Sequence, residues 1–493
     1  MSAPYQAWVA RTILGGGVMK RFAVACVLLG CVLPAPSAGA GGPAMLIGVA
    51  EDSVRQPTLA EAKVEMDLLV RAGFNAVRVT QIWAPGETTP SAADQKILRN
   101  VVQAARLDGV QVLLTVMNFG NRTTPLTEQA REEFAVYAAA LASALPQVRY
   151  FVIGNEPNIN RYWLPQFNPD GTDAAAPAYE ALLARAYDAL KAVSPQIVVL
   201  GGALSPRGGD DPDSIRPTHS PTAFLTDLGA AYRASSRTRP IMDGLALHPY
   251  EDNSSVAPID GVHPNSTTIA LADYDKLVTL LGSVFAGTAQ RGSTLPIYYD
   301  EFGVEAQIPP AKASLYTGRE PVTVKPVPEA VQGAYYRQAV ELAFCQPNVR
   351  GLFLFHAIDE RDLNRWQSGL FYIDRSAKSD LRLVRAAISQ AHRGVVTHCP
   401  RLALRPRGSL VVAVRPVPEA TLLCDIDCTY VVTVRRGSRV ADRSRGRAVG
   451  GLAKRIRLGS LRSGLHYTLT ASLSATVNPG QATILRAVPF AVP

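Results

Sequence analysis

Two short segments of the 493-residue chain carry carboxylates where they could do chemistry. One is Gly154-Asn155-Glu156-Pro157, directly after the apolar run RYFVI. The other is Asp300-Glu301-Phe302-Gly303, directly after LPIYY. A lone glutamate ending a buried strand is more often tied to a loop amide or an arginine. Two of them face to face can divide the work: one protonates a leaving oxygen while the other attacks carbon or activates water. That division requires a fold that brings residues 156 and 301 together.

The elements around them supply one. From residue 44 to about 393, apolar β-like segments alternate with longer helical patterns. The strand candidates are 44–51, 76–83, 110–118, 149–157, 197–204, 241–250, 295–303 and 351–358. Most are near-continuous apolar runs, as expected of strands buried on both faces. Helical patterns fit 58–73, 127–145, 177–193, 221–235, 271–284, 329–344 and 379–392, with Gly73 as a stop and Thr127 as an N-cap. Eight repeats in this length predict an α/β fold, a closed (β/α)₈ TIM barrel over 41–395. An open doubly wound sheet would normally show a Gly-rich turn after the first strand, and GVAEDSVRQP has none. In a barrel, active sites lie at the C-terminal strand ends. Glu156 ends the fourth strand and Glu301 the seventh, so the two face each other across the mouth.

After residue 400 the texture changes to strand-like stretches without a helix: 409–417, 430–436, 453–459, 465–477 and 482–492, with Asn478-Pro479-Gly480 as a turn. Residues 400–493 are expected to form a small all-β sandwich, immunoglobulin-like or fibronectin-like. Charge is uneven. The chain is +9 overall, but 401–493 holds 15 Lys+Arg against 4 Asp+Glu, and 41–400 is net acidic. A nucleic-acid enzyme with a basic groove through the large domain is therefore excluded. The basic run Arg435 to Arg457 lacks interleaved aromatics and suits a solvated face or loose attraction to acidic wall polymers.

Residues 19–40, MKRFAVACVLLGCVLPAPSAGA, have two basic residues, an apolar run and the small triplet Ala38-Gly39-Ala40. This is the layout of a secretory signal peptide, so a secreted or extracytoplasmic protein is expected, with Met19 a better start than Met1. The run falls short of the about 20 residues that span a bilayer. Leu29 before Gly30-Cys31 argues against a lipoprotein anchor at Cys31. Four cysteines remain after cleavage, and four allow three pairings. The spacing of Cys424 and Cys428 suits a local bond, which leaves Cys345 with Cys399.

On Asn155-Glu156-Pro157 and YYDEFG, the sequence resembles the clan A glycoside hydrolases, retaining (β/α)₈ enzymes that include cellulases, mannanases and β-xylosidases. The resemblance spans about residues 44–390. It implies that Glu156 is the acid/base, that Glu301 is the nucleophile, and that Asn155 contacts the sugar 2-hydroxyl. It further matches a strand-two arginine to Arg78 and a strand-six His-x-Tyr to His248 and Tyr250, the tyrosine near the nucleophile, and it places all three with Asn118 among the substrate-binding residues. One departure concerns strand eight, which in many members ends in a tryptophan forming the sugar floor. Here LFLFHAIDE carries His356; either Trp366 in NRWQSGLFYID returns over the site or His356 takes a polar role there, and both are expected to bind substrate.

The implied activity is retaining hydrolysis of β-O-glycosidic bonds in oligo- or polysaccharides by double displacement, with no metal or organic cofactor required. Two rivals use the same barrel: a transglycosylase with the same carboxylates, and a secreted glycan-binding barrel without activity, against which the intact pair counts. Tyr162, Trp163 and Phe167 suit either a sugar-stacking platform or packing of their own loop. Asp359, Glu360 and Asp362 suit a solvated acidic loop better than the alternatives, a cation site or a bond to glycan. No histidine spacing marks a metal site. Oligomeric state is not legible.

Overall fold

The computed structural model describes residues 41–493 apart from His398, Arg401, Ala403, Pro416, Ser460 and Val477. The export segment expected at 19–40, Cys31 included, lies outside the described residues.

Eight parallel strands close into a barrel in chain order: β1 Leu46–Ala50, β2 Ala76–Trp83, β3 Gln111–Asn118, β4 Tyr150–Ile153, β5 Val198–Leu204, β6 Gly244–Leu247, β7 Ile297–Phe302 and β8 Val349–Phe355. Strand β8 pairs with β1 and completes the ring. The surrounding helices are α1 Leu59–Ala72, α2 Ala92–Leu107, α3 Glu128–Ala144, α4 Ala175–Val193, α5 Pro221–Ala234, α6 Tyr274–Val284, α7 Glu329–Cys345 and α8 Leu381–His392. Helix α2 was not among the expected helices. Its apolar stripe, Leu98, Val101, Val102 and Ala105, is narrow among polar residues, although Ser91 caps it through Asp94 N. Thr58, Thr127 and Ser220 cap α1, α3 and α5 in the same way. Each such cap contributes about 1 kcal/mol.

Alternation along the strands divides the barrel into two cores. Val77 and Val79 of β2 face outward under the helices in the large core. Ala76, Leu113, Val152, Leu200, Ala246, Tyr298 and Phe353 form a separate cluster inside the ring. Gly48 makes room for it: a Cβ there would lie 2.6 Å from the Phe353 ring. One layer further toward the C-terminal mouth, the same inward row of β2 carries Arg78. The barrel therefore changes from apolar filling to ionised filling within one step of a strand.

The C-terminal part is a sandwich of two antiparallel sheets. One has the order β13-β10-β9, from β9 Gly408–Ala413, β10 Glu419–Cys424 and β13 Lys454–Arg457. The other has the order β12-β11-β14-β15, from β11 Cys428–Arg436, β12 Arg439–Ala448, β14 His466–Ala475 and β15 Asn478–Ile484, with β16 Val488–Ala491 also pairing β14. Asn478-Pro479-Gly480, expected as a turn, begins β15 instead. Strand β12 lies within the basic run, where arginines interrupt any apolar signal. Leu422, Tyr430, Val432, Leu469 and Leu473 fill the space between the sheets. Ile426 and Ala475 join the barrel's core, and Gly287 N donates to Gly451 O at 2.9 Å, so the two parts are packed together. Among the described residues no helix is long and apolar enough to cross a membrane.

Two disulfides are formed, Cys345–Cys399 and Cys424–Cys428. The first joins the end of α7 to the segment leading into the sandwich, 54 residues on; the second closes a turn of four. Loop-closure entropy makes the long link worth about 4 kcal/mol and the short one about 2 kcal/mol. Urea titrations should show a larger fall in midpoint for C345A/C399A than for C424A/C428A. Equal falls would contradict this account.

Candidate active site

The backbone around Glu156 is built to present it. Gly154 has φ +80°, and its amide donates to Val116 O at 2.8 Å. Tyr179 of α4 donates to Ile153 O at 2.6 Å and accepts from Gly202 N at 2.7 Å, which ties the ends of β4 and β5. Glu156 itself has φ +42°, the left-handed region, and its amide donates to Ala203 O at 2.8 Å. Holding a non-glycine there costs about 1–3 kcal/mol, a strain that concentrates at functional sites. Asn158 secures the following turn through Ser205 and His219.

Glu301 occupies the inward face of β7 and is gripped from two sides. Arg78 pairs with Glu301 Oε1 through its terminal nitrogen, and Tyr250 donates to Oε2 at 3.0 Å. Arg78 also donates through Nε to Thr115 Oγ1 at 2.8 Å and through its second terminal nitrogen to Asn155 Oδ1 at 2.9 Å. Asp300, fully buried, lies 3.2 Å from Arg78 Nε. Its role escaped the sequence analysis, although it precedes Glu301.

His248 lies beneath the carboxylates. Its Nδ1 is 3.1 Å from Glu156 Oε1 and 3.4 Å from Glu301 Oε2, while Nε2 is 3.5 Å from Asp300 Oδ1. Both ring nitrogens face acceptors, which favours the imidazolium. Burial opposes that charge, but Glu301 and Asp300 outweigh it and push His248 up to about 10. Burial likewise pushes Glu301 up, and the charges of His248 and Arg78, with the bonds from Arg78 and Tyr250, more than reverse it. Its carboxyl is held below the ordinary glutamate value. Burial and the neighbouring Glu301 keep the Tyr250 hydroxyl protonated.

A cavity of about 310 Å³ opens above these groups. Asn155, Glu156, Glu301, Tyr250, His356 and Trp366 all line it, together with Arg78. Trp366 does return over the site, its ring 4.9 Å from Tyr250 and edge-on to Phe355 at 5.3 Å. At and past the end of β8 the cavity is lined by Phe355, His356 and Trp366. His356 donates through Nδ1 to Ala50 O at 2.7 Å. Glu51, at the end of β1, accepts from Ala357 N and Ile358 N and holds that segment; it too was missed.

Two expected sugar contacts have other positions. Asn118 does not line the cavity; its Nδ2 donates to Gly120 O and Tyr162 O and joins two loops, while Met117 faces the site. His248 is fully buried and reaches the carboxylates rather than the cavity. Of the loop aromatics only Tyr162 lines the cavity. Trp163 packs edge-on against Tyr179, and Phe167 packs on His219. Of the acidic trio, Glu360 lines the cavity, Asp359 is buried against Lys378 at 2.8 Å, and only Asp362 is a loop cap.

No family model matches the chain, and no curated protein matches it. Among solved structures, it is similar to a glucosidase from Croceicoccus marinus at 12% identity and TM-score 0.49, over 85% of this chain and 94% of that one. A GH39 β-xylosidase from Caulobacter crescentus aligns at 14% identity and TM-score 0.44, over 88% and 79%. A β-glucuronidase from Bacteroides uniformis aligns at 12% and 0.45, over 92% of this chain but 47% of its own, so the chain spans about half that protein's length. Likeness at this level says nothing of substrate.

The charge arrangement has a direct test. In ¹⁵N spectra His248 should remain doubly protonated at pH 7 to 8, and in ¹³C spectra the Glu301 carboxyl should titrate below the ordinary glutamate value. Arg78→Met should move the Glu301 titration upward by about one to three pH units, since an adjacent cation accounts for that much. A neutral His248 at pH 7 would refute the arrangement.

Proposed function

We propose that the chain is a retaining β-glycoside hydrolase of the clan A type, with Glu301 as nucleophile and Glu156 as acid/base. The supporting observation is the unequal treatment of the two carboxyls. Glu301 receives Arg78 and Tyr250 and stays ionised. Glu156 receives only the His248 contact on Oε1, and among the described residues its Oε2 has no partner. His248 sets an upper bound on the spacing of the pair. One nitrogen 3.1 Å from Glu156 Oε1 and 3.4 Å from Glu301 Oε2 holds those oxygens at most about 6.5 Å apart. Retaining pairs stand about 5–5.5 Å apart and inverting pairs about 6.5–9.5 Å.

In the first step Glu301 attacks the anomeric carbon, the bond to the aglycone oxygen breaks, and the proton of Glu156 passes to that oxygen. In the second, water attacks the glycosyl ester, Glu156 takes its proton, and the bond to Glu301 breaks with its electrons returning to the carboxylate. Arg78 occupies Asn155 Oδ1, so the amide presents its Nδ2 donors, suited to a sugar 2-hydroxyl that is gripped more tightly in the transition state. Trp366 and Tyr250 offer the apolar wall. They are shared with an adjoining depression of about 290 Å³, which makes room for more than one sugar unit. An oligosaccharide, hemicellulose or small glycoside fits this better than a crystalline polymer. The signal-like segment 19–40 supports action outside the cytoplasm.

Proton NMR of the first product from a β-glycoside tests the reading. The β anomer is expected, and an initial α anomer would remove Glu301 from the nucleophile role. Glu301→Ala should abolish turnover, with azide giving an α-glycosyl azide. Glu156→Ala should spare glycosylation by activated aryl glycosides and yield a β-glycosyl azide.

A further inference from the structure

The sandwich carries an ordered cationic face that the barrel chemistry does not use. Arg443, Arg445 and Arg447 alternate along β12 and are all exposed, while Ala448 of the other parity is buried. Gly446 faces inward too: a Cβ there would lie 2.6 Å from Tyr430 Oη. None of the three arginines has an ion-pair partner among the described residues. Successive guanidinium stems along the strand are about 6.8 Å apart.

The register extends each arginine into a row across three strands. Arg443 pairs with Thr433, which pairs with Thr470. Arg445 pairs with Val431 and on to Ser472. Arg447 pairs with Thr429 and on to Ser474. These partners are half-buried on the outer face, because Tyr430, Val432, Leu469, Ala471 and Leu473 take the inner one. The result is a face with guanidinium groups on β12, Thr429, Val431 and Thr433 on β11, and Thr470, Ser472 and Ser474 on β14, where the exposed Ile484 of β15 pairs with Ser472; none of these residues is aromatic.

We propose that this face binds a carboxylate-bearing polysaccharide chain. Exposed, unpaired guanidiniums at regular spacing complement a linear polyanion and can grip carboxylates with two parallel hydrogen bonds. The neighbouring hydroxyls can exchange hydrogen bonds with sugar hydroxyls. The absence of aromatics disfavours neutral glycans, which are held by stacking. Charge on an edge strand also deters edge-to-edge pairing of sheets, but that need is met by charge on β12 alone and says nothing of Thr429 and Thr433 on β11 or the hydroxyl row on β14.

Affinity electrophoresis and calorimetry of the whole protein with polygalacturonate, linear mannan and xylan decide the matter. Polygalacturonate should retard the protein at 20 mM salt, the neutral chains should not, and binding should weaken steeply toward 300 mM as charges are screened. R443A/R445A/R447A should bind at least about tenfold more weakly with an unchanged thermal midpoint. The corresponding triple lysine variant should fall between, because it keeps the charge and loses the fork. T470A/S472A/S474A should weaken binding without changing its salt dependence, and it stands in if the alanine triple fails to fold. Undiminished binding by the arginine variants, or no binding by the wild type, overturns the proposal. So does equal affinity for duplex DNA or anionic vesicles, which would make the face a reader of charge alone.

Discussion

The ion pair of Arg78 with Glu301 organises the centre of this protein. A guanidinium inside a barrel cannot be left uncompensated: the effective penalty of burying a charge is several kcal/mol, and stripping one partner from a buried pair costs about 3–5 kcal/mol. Arg78 is met on every side, by Glu301, Asp300, Asn155 and Thr115. Those four come from β7, β3 and the turn after β4, so satisfying one cation sets the relative placement of three strand ends. The same contacts keep Glu301 ionised and orient the Asn155 amide. Stability and chemistry therefore rest on one set of hydrogen bonds.

The second carboxyl is positioned by different means. Glu156 is not drawn in by an arginine; it is carried by a backbone bent into the left-handed region and anchored by Tyr179, Gly154 and Ala203. His248 connects it to the rest. A single buried ring touches Glu156, Glu301 and Asp300, so the three carboxyls belong to one electrostatic unit. Arg78 and His248 both face Asp300 and Glu301, whereas Glu156 meets His248 without the arginine.

The walls show how one position can be filled from elsewhere in the chain. Strand β8 ends in Phe355-His356, and the indole arrives from Trp366 on the following loop. Glu51 keeps that loop near the barrel by capping Ala357 and Ile358, and Glu360 accepts from Trp366 N. Among the described residues, none of the sandwich lines this cavity. Its packing against α6 and the turn after it leaves the arginine-bearing outer face to solvent.

The residues by themselves determined the barrel, because unbroken apolar runs separated by helical stripes have few other ways to bury both faces. They also determined the carboxylate pair: a glutamate at the end of such a run must emerge at the barrel's C-terminal mouth. Helix α2 was not legible, since its core stripe is narrow among charged residues, and β12 was hidden by its arginines. What only the tertiary structure decided concerns direction. Asn118 and Met117 are adjacent on β3, and alternation sends the methionine to the cavity while the asparagine ties loops. His248 is a sugar contact only by the resemblance of its His-x-Tyr to a family motif, yet its position just after β6 places it beneath the carboxylates. Asp300 and Glu51 look like ordinary strand-end acids until the strands that face them are known. Chain order says which residues reach the mouth of the barrel, but which of them meet there depends on strand parity and depth, and those exist only once the ring is closed.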